Sequence, residues 1–82
     1  MSENHLTMKA FREKVFAKGL GEFIRTVPTT GVDAPYVGFI KTTQGESEVP
    51  YGNKVVFEVL TSGEEITEEE YNNAELTALN DL

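Results

Sequence analysis

The residues with the clearest capacity for chemistry in this chain are carboxylates, and most of them follow residue 45. Residues 46–82 carry nine glutamates and Asp81 against a single basic residue, Lys54, whereas residues 1–45 carry six basic and four acidic residues. The chain of 82 residues has a formal net charge of −7. Clustered carboxylates can coordinate a cation, transfer protons or attract a basic protein surface, and their spacing decides between these uses.

The spacing favours neither a metal site nor a catalytic site. A calcium loop alternates oxygen ligands around a glycine turn, and no such run occurs here. His5 is the only histidine, and no nucleophile motif accompanies it. Cysteine is absent, which excludes thiolate ligands, disulfides and cysteine nucleophiles. We therefore expect no catalytic residue, no metal and no cofactor, and we expect that the protein is not an enzyme.

Direct binding to nucleic acid is not expected either. Two aromatic segments, residues 36–40 and 54–59, could offer platforms for stacked bases, but such platforms lie in basic grooves and the charge here is negative. We predict instead that Phe39 and Phe57 are core residues.

Membrane association is not indicated by the sequence. No apolar run approaches the roughly 18–20 residues that a membrane span needs. Residues 1–10 are polar and lack the apolar segment of a signal peptide. Small secreted domains usually rely on disulfides, which this chain cannot form. We therefore expect a cytoplasmic protein.

The N-terminal part is predicted to be helical. Four apolar residues recur there at helical spacing: Met8, Phe11, Val15 and Phe16. Gly19 is a natural stop for this helix. Residues 20–27 fit either a second helix or a short strand. A break at Gly19–Gly21 followed by a second helix is favoured, and Pro28 ends the segment in both cases.

Two strands are predicted in the middle of the chain. Residues 36–43 and 54–60 are rich in aromatic and β-branched side chains, and we expect them to pair as an antiparallel hairpin. Residues 44–53 contain Gly and Pro and are predicted to form a long turn between them. Gly38, inside the first strand, indicates a bulge or a close contact.

The clearest local signal marks the start of a final helix. Thr67 and Glu70 are spaced as the N-cap and N3 residues of a capping box. Ile66 and Tyr71, on either side of the cap, are placed as a hydrophobic staple. The spacing predicts a helix near residues 67–81.

Together these elements predict a single α+β domain over residues 1–82. Its small antiparallel sheet would contain residues 36–43 and 54–60, and residues 22–27 could supply a third strand. Because a sheet of two strands is marginal alone, either the helices cover it or a second copy of the chain completes it.

The acidic half is the best candidate for a functional surface. Glutamates in a first helical turn complement the helix dipole, but this does not account for the carboxylates outside that turn. We therefore predict a partner-binding surface made of eight glutamates: Glu46, Glu48, Glu58, Glu64, Glu65, Glu68, Glu69 and Glu75.

The function expected from this surface is non-catalytic protein binding. Clustered carboxylates can imitate the phosphates of nucleic acid and attract proteins that bind them. Small, acidic, cysteine-free proteins of phages and mobile elements act in this way as inhibitors of host defence, for example in anti-CRISPR-like mimicry. We expect an inhibitor or regulator whose partner is a protein with a basic surface. The alternative is a structural or assembly component that acts through self-association, including as a homodimer.

Overall fold

The computed structural model describes residues 5–74, which form one five-stranded antiparallel sheet and three helices. The elements in chain order are α1 (His5–Ala10), β1 (Val15–Gly19), β2 (Glu22–Pro28), β3 (Tyr36–Thr42), β4 (Gly45–Val49), α2 (Lys54–Ser62), β5 (Glu64–Ile66) and α3 (Glu68–Asn73). The strand order is β4-β3-β2-β1-β5, and all neighbours are antiparallel. The predicted α+β class is confirmed.

The two faces of the sheet are covered by different helices. Successive side chains of a strand point to opposite faces, so β1 turns Val15 and Ala17 to one face and Phe16 to the other. Helices α1 and α2 cover the first face and form the main core with it. Its buried members are Leu6, Ala10, Val15, Ala17, Ile24, Tyr36, Val56, Val59 and Leu60. Helix α3 covers part of the second face, where Tyr71 packs with Phe16 and Ile66.

Of the helices predicted over residues 8–18 and 20–27, only the part within α1 is helical, and the rest of this prediction is wrong. Val15 begins a strand, and the strand predicted as the alternative for residues 22–27 is β2. The β1–β2 hairpin turns at Leu20 and Gly21, whose φ angles of 55° and 79° are both positive. Positive φ at both central residues is the geometry that matches the twist of a two-stranded hairpin. Gly21 therefore belongs to a tight turn rather than to a helix break.

The strand predicted over residues 54–60 is also wrong, because this segment is helix α2. Asn53 caps its start by accepting hydrogen bonds from the backbone N–H groups of Val55 and Val56. Burial follows the helical period, and tertiary packing overrides the strand propensity of these side chains. Phe57 is 47% exposed, so its predicted place in the core is wrong.

Strand β3 pairs with β2 and with β4. Strand β4 lies inside the segment predicted as a long turn. The close contact predicted at Gly38 is confirmed. A Cβ added there would lie 3.2 Å from Cγ2 of Val56, so a side chain would push α2 away from the sheet.

The start of the final helix is confirmed. Thr67 and Glu70 form a complete capping box at α3, and Ile66 and Tyr71 pack in one cluster. Helix α3 ends at Asn73, and Ala74 has an extended backbone. The prediction of one helix that continues past this point is therefore wrong, and residues 75–81 lie outside the described residues. No helix within residues 5–74 has the length and apolar character needed to cross a membrane.

Candidate functional site

Both edge strands of the sheet carry predicted site residues. Strand β4 contributes Glu46 and Glu48, and β5 contributes Glu64 and Glu65. The strand register places Glu46, Glu48 and Glu64 on the face that α3 covers. They pair with Lys41, Phe39 and Lys18, and the side chains of these partners point away from the main core. Glu65 lies on the face covered by α1 and α2.

The Glu46 side chain is held against the sheet by residues of two other elements, β2 and α3. Arg25 of β2 donates from Nε to Oε2 at 2.6 Å and from Nη2 to Oε1 at 2.9 Å. The hydroxyl of Tyr71 donates to Oε2 at 2.7 Å. Bidentate charge-assisted bonds of this kind are among the stronger hydrogen bonds in proteins. The bond from Arg25 is the main cause that lowers the pKa of Glu46 to about 2, and burial is the main cause that raises the pKa of Tyr71.

Lys41 and Phe39 complete this cluster. The Nζ of Lys41 donates to the backbone carbonyls of Tyr71 at 2.6 Å and Asn72 at 3.3 Å. A cation at these carbonyls complements the negative end of α3. The Arg25 guanidinium lies 4.0 Å from the centre of the Phe39 ring, within the range of a cation–π interaction.

We call the group of Arg25, Lys41, Glu46 and Tyr71 the α3 anchor, because it fastens α3 to strands β2, β3 and β4. Glu46, which was predicted to bind a partner, therefore stabilises the fold through these contacts.

Of the two glutamates of β5, one is paired within the fold and the other is exposed. Lys9 of α1 lies 2.5 Å from Oε2 of Glu65, and this hydrogen bond is the main cause that raises the pKa of Lys9. Glu64 lies 4.0 Å from Lys18, and its side chain is 69% exposed. Glu65 therefore joins β5 to α1, whereas Glu64 faces solvent.

The remaining predicted residues are exposed. Within residues 5–74, no basic nitrogen lies within 4.0 Å of Glu48, Glu58, Glu68 or Glu69. The structure does not bring all of them together, because Glu58 lies on α2, on the opposite side of the sheet from α3. Glu75 lies outside the described residues.

We give the name α3-side carboxylates to four exposed glutamates on the second face that belong neither to the α3 anchor nor to the cap of α3. They are Glu48, Glu64, Glu68 and Glu69. Glu48 and Glu64 lie on the two opposite edge strands, and Glu68 and Glu69 lie on α3. None of the four takes part in the α3 anchor.

The α3 anchor was missed by sequence reasoning. Its signal was the placement of Arg25 and Lys41 within apolar strands, at positions that alternate with core residues. Their importance depends on α3 crossing the same face, which the local sequence does not reveal.

Two further findings bear on the chemistry of the site. In the part of the chain that the structure describes, no group of three or more His, Asp or Glu side chains is arranged to hold a metal ion. Comparisons with family models, curated proteins and solved structures found no significant match.

Proposed function

We propose that this protein is a non-catalytic inhibitor or regulator that binds the basic surface of a nucleic-acid-handling protein through its α3-side carboxylates. One observation supports this proposal most directly. Four exposed glutamates lie on one side of the sheet. Within residues 5–74, Glu64 has a basic nitrogen at 4.0 Å, that of Lys18, and the other three have none within that distance. By contrast, the fold ties up Glu46 and Glu65 with basic partners.

Local structure accounts for only part of this charge. The helix dipole favours Glu68 and Glu69 in the first turn of α3. This interaction typically contributes about 0.3–1 kcal/mol for each exposed residue. Glu70 already completes the cap. Glu48 and Glu64 lie in strands, where no helix dipole acts. Their negative charge is therefore available to a partner.

The chemistry of the expected partner follows from this charge. Proteins that bind nucleic acid present Lys and Arg to a backbone that carries one negative charge per roughly 1.7 Å of duplex axis. Exposed carboxylates can occupy such a surface and exclude the nucleic acid. We expect this competition to take place in the cytoplasm, in the manner of counter-defence proteins of phages and mobile elements.

The test is capture of the partner from a host lysate, compared between two charge variants. The first variant neutralises the α3-side carboxylates: E48Q, E64Q, E68Q and E69Q. The matched control removes the same number of charges elsewhere: E13Q, E22Q, D33N and E58Q. We expect the first variant to lose the partner and the control to keep it. Circular dichroism establishes that both variants are folded.

The identity of the captured protein is part of the same test. The proposal requires a protein that binds nucleic acid, and it requires duplex or single-stranded DNA to compete with this chain for it. Equal capture by both variants, or capture that nucleic acid does not affect, contradicts the proposal.

A structural or assembly role is the second candidate. It is favoured by exposed apolar side chains on the two helices of the first face, where Met8 and Phe57 are each 47% exposed. If these residues drive self-association, the chain sediments as an oligomer and F57S reduces it to a monomer. A wild-type chain that remains monomeric at high concentration contradicts this role.

A further inference from the structure

Within the described part of the chain, β4 has one backbone edge that pairs with no other strand. Only Thr43 and Gln44 separate Thr42 from its partner Gly45, so these partners must be a hydrogen-bonded pair. Hydrogen-bonded and non-hydrogen-bonded pairs alternate along an antiparallel ladder. The N–H and C=O groups of Ser47 therefore face β3, whereas those of Glu46 and Glu48 face away from it.

This edge is exposed along its length. Among residues 5–74, β3 is the only strand next to β4, and residues 45–48 are all exposed. The opposite edge of the sheet, at β5, has fewer backbone groups that face outward. Phe16 and Ile66 form a hydrogen-bonded pair of β1 and β5 by the same alternation, so only Glu65 of β5 directs its backbone outward.

The side chains at the β4 edge disfavour a second copy of the chain. Antiparallel pairing of two β4 strands about a two-fold axis places Glu46 or Glu48 of one copy opposite Glu46 or Glu48 of the other. Like charges directly opposite each other destabilise a sheet, and charged residues are a common means of keeping edge strands apart. The Glu48 carboxylate, which has no basic nitrogen within 4.0 Å among residues 5–74, attracts a strand of opposite charge.

We infer that the β4 edge binds an extended, basic segment of the protein partner as a sixth, antiparallel strand. The backbone groups of Glu46 and Glu48 supply the hydrogen bonds, as in other cases of strand addition. A Lys or Arg of the segment lies beside the Glu48 carboxylate, because that of Glu46 is held by Arg25 and Tyr71. This inference rests on the proposed function and specifies how the partner is recognised.

The backbone pattern provides a sharp test with synthetic peptides. The probe is the blocked peptide Lys-Val-Lys-Val-Lys. In the inferred register its lysines form the hydrogen-bonded pairs, opposite Glu46 and Glu48 and on the same face. N-methylation of the lysines removes the hydrogen bonds of this edge, whereas N-methylation of the valines leaves them intact. The two methylated peptides have the same charge and composition.

The readout is amide hydrogen exchange measured by NMR on the whole chain. At a peptide concentration about nine times its Kd, exchange at Glu46 and Glu48 should slow about tenfold, because only the unbound fraction exchanges. Ser47, already bonded to β3, should change little. The valine-methylated peptide should reproduce this result, and the lysine-methylated peptide should not. The variant E48Q should weaken binding without removing the protection pattern.

Two outcomes overturn the inference. The first is equal binding of the two methylated peptides. The second is peptide binding that protects amides or shifts resonances only around Glu68 and Glu69. The second outcome leaves the proposed function standing, since the carboxylates would still bind a basic segment. Failure of the proposed function is recognised separately, by capture of the native partner that is insensitive to E48Q, E64Q, E68Q and E69Q together.

Discussion

The two edge strands of the sheet use the same residue type for different purposes. Each carries one glutamate that is tied into the fold and one that faces solvent. In β4, Glu46 joins β2 and β4 to α3, while Glu48 has no basic nitrogen within 4.0 Å in the described part of the chain. In β5, Glu65 contacts Lys9, and Glu64 lies loosely beside Lys18.

The difference between the edges lies in what the tied glutamate holds. The Glu46 carboxylate accepts three hydrogen bonds from Arg25 and Tyr71, and Tyr71 is 2% exposed. The Lys9–Glu65 pair is a single contact at the surface. Surface ion pairs contribute little to stability, whereas hydrogen bonds to a charged, partly buried group contribute more. The β4 edge is therefore the more firmly built one and the better platform for an added strand.

The largest expected effect is at Tyr71, whose ring joins the α3 anchor to the packing beneath α3. Its centre lies 5.3 Å from that of Phe16. We expect Y71A to lower the free energy of unfolding by about 3–5 kcal/mol, the usual cost of removing a buried aromatic side chain. Chemical denaturation measures this loss. Y71F keeps the ring and should lose less, and equal losses for the two variants would show that the ring packing contributes little.

A smaller effect is expected when the tied glutamates of the two edges are compared. E46Q should cost about 1.5–3 kcal/mol in the same denaturation experiment, because it weakens hydrogen bonds to a charged group. E65Q should cost less, since its ion pair is more exposed. A loss at E65Q as large as at E46Q would remove the difference between the two edges.

The cap of α3 is expected to have a still smaller effect. T67A removes the hydroxyl that accepts from the N–H of Glu70 and should cost about 0.5–2 kcal/mol. T67S keeps the hydroxyl and should be close to wild type by thermal denaturation. If T67A is as stable as wild type, the start of α3 does not depend on this cap.

The last and smallest expected effect is a change in stability with pH, caused by the titration of Glu46. Its folded-state pKa of about 2 lies below the usual value of 4.5. The stability that its ionised form contributes is therefore fully present above pH 4.5 and is lost as the pH falls towards 2. Wild type should lose more stability than E46Q across this interval. Parallel stability–pH curves for the two proteins would contradict the α3 anchor.

These comparisons show which features the sequence could predict. The capping box at Thr67 and the strand over Tyr36–Thr42 depend on neighbouring residues, and both predictions are confirmed. Helix α2 was mistaken for a strand because its β-branched residues favour one. Its helical form depends on Val56 and Val59 packing against the distant sheet, and on a cap from Asn53.

The roles of individual glutamates could not be read from the sequence for the same reason. Glu46 and Glu48 are two residues apart and lie on the same face of β4. Only the positions of Arg25 and Tyr71, which are remote in sequence, assign one to the fold and leave the other exposed. The acidic half predicted as one surface is therefore divided by tertiary contacts.

The salt dependence of partner binding tests the central claim most directly. Exposed charges are screened over about 8–10 Å at physiological ionic strength, so the Kd of the captured complex should rise steeply as salt is increased. The variant with E48Q, E64Q, E68Q and E69Q should bind weakly at low salt and show a shallower dependence. A wild-type Kd that does not change with salt would contradict the claim that these carboxylates bind a basic partner.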